Sequence, residues 1–315
     1  FFASEVRALM LARPDRTLRN DMVAEVMQYG YINAPHSAFN EITQVPPGSL
    51  LTWHDRKTIT KKYWEPDFDT KVQISYEEAL EVTKKLIEEA VSRRLISERP
   101  LGSFLSGGYD STVVTAYMAK LMSEKVQTYS IGFHSPQFNE AHHAKQVANY
   151  LGTNHHEEIL SPDPALVVEK ISHVLDQPFA DSSIVPTYLL AKFARENLIV
   201  ALGGDGGDEV FGGYDRYLAA PVMQKLNPLL GIARSGLKFA GQQSLGNARK
   251  INRVGSQLSP KASLAARYSS ILSLAQPDEL TTLLNPNFQT NAAEITRLNQ
   301  FEDGKLSSYD RMIRS

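Results

Sequence analysis

The 315-residue chain contains no cysteine. A disulfide framework, a cysteine-ligated zinc site and a thiol nucleophile are therefore excluded for these residues. The absence fits a reducing compartment, and the cytoplasm is the expected location. Long apolar runs are missing too. The most continuous candidate, residues 198–202, is strand-sized and far below the roughly 18 residues that span a bilayer. No secretory signal pattern opens the chain. Neither sign of charge is in excess: 33 basic side chains against 35 acidic ones leave a net charge of −2. That balance argues against a duplex-DNA binder and against an acidic disordered tail. Repeats and low-complexity segments are also absent. No nucleic-acid partner and no membrane partner are expected.

What is present is the composition of an ordinary globular protein, 42% hydrophobic and 22% charged. At about 150 residues per domain, the length suggests two domains. The first 66 residues read differently from the middle. Asn20-Asp21 offers an N-cap to a helix carrying Met22, Val23, Val26 and Met27, with Gly30 as its stop. Residues 49–53 and 58–64 flank the polar turn His54-Asp55-Arg56-Lys57 and read as a β-hairpin. Residues 65–69 look like a linker.

From Ser75 the pattern becomes α/β. Ser75 with Glu78 is a capping-box signature before a helix. Residues 101–105 form a strand candidate, and Val113, Val114, Tyr117, Met118 and Leu121 line one side of the next helix. Residues 126–133 and 155–160 are further strand candidates. Between them lies a helix capped by Asn139 and stopped by Gly152. Helices are expected from Asp163-Pro164 to residue 175 and over 186–197, and a buried strand over 198–202. Beyond residue 215 only helices are expected, over 262–274 and 277–284. Strands alternating with helices of this length imply βαβ units and a mostly parallel sheet.

Two glycine-rich segments carry the chemistry. Ser106-Gly107-Gly108-Tyr109-Asp110-Ser111-Thr112 sits where a strand ends and a helix begins. In an open parallel sheet that is where ligands bind. The glycines let a ligand approach the backbone, the helix start supplies N–H donors, and three hydroxyls add more. The pattern makes an anion cradle, most naturally for phosphate. Asp110 would repel a phosphate unless a cation lay between them, and Mg²⁺ is the natural one. The lysine of a Walker A loop is missing, as is a G-x-G-x-x-G fingerprint. The second segment, Gly203-Gly204-Asp205-Gly206-Gly207-Asp208-Glu209 followed by Phe211-Gly212-Gly213-Tyr214, also follows a strand. Its density of glycine is costly in backbone entropy unless a close approach uses it, and a metal-binding loop facing Asp110 would. The histidine pairs His142-His143 and His155-His156 are weaker signals. Adjacent helical side chains diverge by about 100°, so a solvated or structural role is expected. The basic residues between 234 and 267 lack interleaved aromatics and read as a solvated helical surface.

Ser106 to Ser111 resembles the pyrophosphate loop of the N-type ATP pyrophosphatases. Gly203 to Tyr214 resembles glutamine-hydrolysing asparagine synthetases, as do Phe138-Asn139-Glu140-Ala141 and Leu151-Gly152-Thr153. Residues 2–9 and Pro46-Pro47-Gly48 resemble the closing part of that family's N-terminal glutaminase domain. The resemblance covers residues 1–217 well and is weak beyond. It implies an ATP-pyrophosphatase-type α/β fold with a parallel sheet, a small β-containing N-terminal remnant and a helical C-terminal part. The domains implied are 1–66, the end of a glutaminase domain, and 67–315, a synthetase domain truncated at its C-terminal end. That family's nucleophilic N-terminal cysteine is missing, so a piece of a longer protein is expected.

The resemblance further implies site roles. Ser106, Gly107, Gly108, Asp110 and Ser111 would hold the pyrophosphate of ATP, and Asp110 and Asp208 would share Mg²⁺. Phe104, Ile131, Gly203 and Gly204 would border the adenosine. Asp205, where glutamate is usual, would lie near the reacting carboxyl group. Gly203 stands where many members have serine, and Tyr109 where an aliphatic residue is usual. The implied activity is an ATP-dependent ligase making asparagine from L-aspartate, with ammonia from glutamine, through an acyl-adenylate. Relatives with the same loops amidate sugars or close β-lactam rings, and a passive ATP-binding module is the other alternative. The implied partners are small molecules, with homodimerisation left open.

Overall fold

A computed structural model describes residues 1–12, 15–68, 70–134, 139–161, 163–217 and 264–288. Phe138 and the basic stretch 234–261 lie outside the described residues. The chain forms two compact units. One comprises residues 1–71, 175–181 and 214–315, and the other comprises 72–174 and 182–213.

The first unit holds helices α1 (Val6–Ala12) and α2 (Met22–Tyr29) and the hairpin β1 (Ser49–His54) and β2 (Lys57–Lys62). Asp55 and Arg56 at the turn have φ of 49° and 63°. Two consecutive positive φ values match the right-handed twist of paired strands, which is why a two-residue turn suffices. Helix α2 stops at Gly30, whose φ of 85° suits a residue without a Cβ. Its expected N-cap does not form. Asp21 has helical backbone angles and makes no cap bond. Its carboxylate instead takes two hydrogen bonds from the Arg19 guanidinium. Segment 175–181 joins this unit through specific bonds. Val6 N–H donates to Asp176 Oδ2 at 2.6 Å, Ala38 N–H to Gln177 Oε1 at 2.9 Å, and Ala180 N–H to Gly30 O at 2.7 Å. The later helices α9 (Leu264–Leu272) and α10 (Pro277–Leu283) belong here as well. Leu274 N–H donates to the Gln28 carbonyl at 2.7 Å.

The second unit is the α/β layer. It begins with α3 (Tyr76–Arg94), where Ser75 and Glu78 form the expected capping box. Then follow β3 (Leu101–Phe104), α4 (Tyr109–Leu121), β4 (Gln127–Phe133), α5 (Ala141–Leu151), β5 (Asn154–Leu160), α6 (Pro164–Ser172), α7 (Ile184–Ala194), β6 (Val200–Leu202) and α8 (Gly207–Phe211). The four strands β3 to β6 pair in parallel in the order β5-β4-β3-β6. The parallel α/β class expected from the alternation of elements is the one found. The final strand is shorter than the expected 198–202. Leu198 N–H still bonds the Ala194 carbonyl at 2.8 Å, so the chain leaves α7 late. The Leu198 side chain, 3% exposed, packs with Tyr129 and Ala194. Likewise α6 ends at Ser172 rather than near 175, where the chain crosses to the first unit. Val91, Met118 and Val126 form the core between α3, α4 and the sheet. No helix among the described residues is long and apolar enough to cross a membrane.

The histidines of β5 are structural. His155 is half-buried, with Nδ1 3.0 Å from Thr128 Oγ1 and Nε2 3.2 Å from Ser130 Oγ. His156 stacks on Tyr129 at 4.6 Å. Burial pushes the His155 pKa below its usual 6.5, against the opposing pull of Glu157. Below pH 6.5 the unfolded chain therefore binds a proton that the folded one refuses, so stability is full above that pH and falls through the window beneath it. Urea titrations between pH 7 and pH 5 are expected to show a steeper loss of stability for the wild type than for His155→Gln. Equal losses would remove His155 from the account.

Candidate functional site

The connections place the two glycine-rich segments together. From β3 the chain runs outward to β4 and β5, then returns to β6 on the other side of β3. The direction of winding thus reverses at β3, and a crevice opens beyond the carboxyl ends of β3 and β6. The loop after β3 carries Ser106, Gly107 and Gly108; the loop after β6 carries Gly203, Gly204, Asp205 and Gly206.

The first loop is shaped by its hydroxyls. Gly107 has φ of 86°, and a Cβ there would come within 2.7 Å of Ala144 N and His143 Cβ. Gly108 N–H donates to Ser106 Oγ at 3.2 Å, Ser106 N–H donates to Ser111 Oγ at 3.2 Å, and the two hydroxyl oxygens are 2.9 Å apart. Gly108 is the N-cap residue in extended conformation, so α4 starts at Tyr109, and its first N–H groups have no acceptor within the helix. The helix start adds a positive dipole end, which favours an anion. Tyr109 itself is 92% exposed.

The second loop is pressed onto that helix start. A Cβ on Gly204 would lie 2.5 Å from Ser111 N and 2.8 Å from Asp110 Cβ. One on Gly207 would lie 2.6 Å from Asp110 Oδ1. At Gly204, where the neighbours are mainly backbone atoms, glycine is a steric requirement; at Gly207 a side chain would have to displace the Asp110 carboxylate. The approach carries acidic groups towards one another. Burial raises the Asp110 pKa, and the charges of Asp208 and Glu209 raise it further. Asp205 is exposed, with its carboxylate turned towards Gly203. The acidic groups acting on Asp110 are thus Asp208 and Glu209. Among the described residues, no group of three or more His, Asp or Glu is placed to hold a metal. A shared pair such as Asp110 and Asp208 suits Mg²⁺, which commonly takes one or two carboxylates and completes its shell with phosphate oxygens and water. The repulsion on Asp110 is an observation such a cation would relieve.

The remaining expected residues lie around the same sheet edge. Phe104, the last residue of β3, packs on the cluster of Tyr129, Ala194 and Leu198. Ile131 follows Tyr129 by two positions on β4 and so shares its face. Gly203 and Gly204 continue β6. Sequence reasoning assigned no site role to Gly207 or Glu209, nor to the buried hydroxyls of Ser103 and Thr115. Glu209 adjoins Asp208 and was legible as a neighbour. The hydroxyls lie within otherwise apolar patterns, and only the pairing of β3 with β6 gives them meaning.

The raised Asp110 pKa has a stability consequence. The folded state holds a proton more tightly than the unfolded chain, so Asp110 costs stability as pH rises through the window above 3.8. Asp110→Asn is expected to raise the Tm at pH 7, with the gain shrinking towards pH 4. Calorimetric scans across that range check it, and a Tm lowered equally at both ends would contradict the repulsion.

The chain resembles known proteins along most of its length. The asparagine synthase family model matches residues 83–313, and the glutamine amidotransferase domain model matches residues 1–64. Asparagine synthetase (glutamine-hydrolysing) 1 of Bacillus subtilis is 33% identical over 219 residues, covering 69% of this chain and 34% of that protein. A Methanocaldococcus jannaschii protein with a provisional name of the same kind is 35% identical over 225 residues, covering 69% of this chain and 43% of its own length. The chain therefore spans about a third to two fifths of the length of these relatives. Among solved structures, an NMN synthetase from Francisella tularensis matches 45% of this chain and 60% of its own at 15% identity, with a TM-score of 0.31, a likeness too partial to argue from. On the family match over residues 83–313, the chain belongs to the asparagine synthase family.

Proposed function

We propose that this chain carries the synthetase site of an ATP-dependent ligase that converts L-aspartate to L-asparagine, using ammonia released from glutamine. The observation that supports the reading most directly is the joint at Gly204, which sets a phosphate-type cradle beside an acidic loop at the switch point of the sheet. In this reading residues 1–66 are the end of a glutaminase domain and 67–315 a synthetase domain of the ATP-pyrophosphatase type.

A side-chain carboxylate oxygen of aspartate attacks the α-phosphorus of ATP. The bond from that phosphorus to the bridging oxygen breaks, and pyrophosphate leaves. Ammonia then attacks the acyl carbon of the adenylate, AMP leaves with the bonding pair, and the nitrogen sheds a proton to solvent. The chain's contribution is positioning and charge stabilisation. The Gly107 N–H, the start of α4 and the hydroxyls of Ser106 and Ser111 donate to the pyrophosphate oxygens, while the Ser106 and Gly108 N–H groups hold those hydroxyls in place. Phe104, Ile131, Gly203 and Gly204 border the adenosine. Asp110 and Asp208 would hold Mg²⁺, which when bound would supply positive charge against the leaving pyrophosphate. Asp205, exposed on the same loop, would lie near the reacting carboxyl group.

The test uses the full-length protein with MgATP, ammonia and a panel of carboxylates led by L-aspartate, reading pyrophosphate release and amide product. Aspartate-dependent release with asparagine formed is the expected result. Asp110→Ala is expected to lower it by on the order of a hundredfold or more, since metal charge stabilisation is worth several kcal/mol. Release driven by a different carboxylate would move the reaction to another acceptor. ATP binding with no release would reduce the chain to a passive binder.

A further inference from the structure

We propose that Ser103 and Thr115 are positioning residues for this site: their buried hydroxyl pair ties the end of β6 to the first turn of α4 and so sets the spacing between Asp110 and Asp208. The inference rests on reading the crevice as a MgATP site.

Both residues are 0% exposed, in the layer between the sheet and α4. Their oxygens lie 2.8 Å apart. The Thr115 hydroxyl donates to the Ser111 carbonyl at 2.7 Å, and the Ser103 hydroxyl reaches the Leu202 carbonyl at 3.2 Å. With Thr115 committed to Ser111, the Ser103 hydrogen has Thr115 Oγ1 at 2.8 Å as its nearest acceptor, then Leu202 O at 3.2 Å and Phe104 O at 3.4 Å. The result is one continuous link, Leu202 to Ser103 to Thr115 to Ser111, running across two strands and a helix. A helical threonine often bonds back to the carbonyl four residues earlier, so the Thr115 bond alone would be local. Ser103 makes it tertiary, because it pairs in register with Leu202 on the neighbouring strand.

The ends of the link adjoin the residues that carry the site. Ser111 follows Asp110, and Leu202 is followed by Gly203 and Gly204, which lead to Asp208. The joint above the link is close packing of the second loop on the helix start, at Gly204 mainly against backbone and at Gly207 against the Asp110 side chain. A buried hydroxyl pair costs desolvation that apolar side chains of similar size would avoid. What it adds is direction, because hydrogen bonds fix a separation more narrowly than apolar contact does. Mg²⁺ is sensitive to that, since it demands near-ideal octahedral geometry.

The test measures ATP affinity by calorimetry on the full-length protein, with Mg²⁺ and with the metal chelated, for the wild type, Thr115→Val, Ser103→Ala, the double variant and Thr115→Ser. The gain in affinity on adding Mg²⁺ is the quantity of interest. Thr115→Val and Ser103→Ala are each expected to lose about tenfold of that gain, in the range seen when groups supporting metal ligands are removed. The double variant should lose no more than either single one, because both cut the same link, and Thr115→Ser should keep the wild-type gain. A lowered Tm with the Mg²⁺ gain intact would make the pair merely structural and overturn the proposal. If Thr115→Val fails to fold, Ser103→Ala decides alone, since it leaves the helical bond of Thr115 in place. Absence of MgATP binding by the wild type would overturn the site reading and this inference together, whereas normal wild-type binding with an unchanged gain in the variants would overturn only the inference.

Discussion

The approach of Gly204 to the first turn of α4 is the constraint on which the rest of the site depends. With a Cβ position 2.5 Å from the Ser111 amide nitrogen, no residue but glycine fits without moving one loop off the other. That contact turns two separate strand-end loops into one crevice. It exists because β6 pairs with β3 on the side away from β4, which makes the loops after β3 and β6 neighbours. Sheet order and glycine placement are thus two halves of one requirement.

The same approach determines the electrostatics. Bringing the loops together partly buries Asp110 and sets it against Asp208 and Glu209, all of one sign. A fold optimised only for stability would place a neutral or basic group here. A perturbed group in a cleft is a common mark of a functional site, and the upward shift here has two named physical causes, burial and like charge. The histidine at position 155 shows the contrast. Its shift comes mainly from burial among hydroxyls, on the far edge strand of the sheet and away from the crevice. A perturbed group marks a site only when geometry puts it in one.

Local signals were the legible ones. The capping box of Ser75 and Glu78, the stops at Gly30 and Gly152, and the strand-turn-helix around Ser106 to Ser111 each depend on residues a few positions apart. The parallel α/β class followed from the alternation of such segments. Helix α1 was not anticipated, because its start is held by the Asp176 carboxylate, 170 positions away. Asp21 was expected to cap and instead binds Arg19, a competition between two uses of one carboxylate that spacing alone does not resolve. The grouping of residues 175–181 with the N-terminal unit likewise rests on long-range bonds to Val6, Gly30 and Ala38.

The hydroxyls of Ser103 and Thr115 show where a linear reading stops. Each sits in an apolar stretch and, taken singly, reads as a small residue tolerated in a core. They stand 12 positions apart on different elements, one on a strand and one on a helix, so no single period relates them. Only the register of Ser103 with Leu202 shows that a chain of hydrogen bonds crosses from one glycine loop to the other. Buried polar groups are kept where satisfied bonds define a single arrangement that apolar packing would leave looser. Here that arrangement is the separation of two carboxylates. The physical demand at this joint is therefore double. Glycine must let the loops touch, and the hydroxyl link beneath must stop them from sliding, because close contact without a fixed register would leave Asp110 and Asp208 near each other but not held at one spacing.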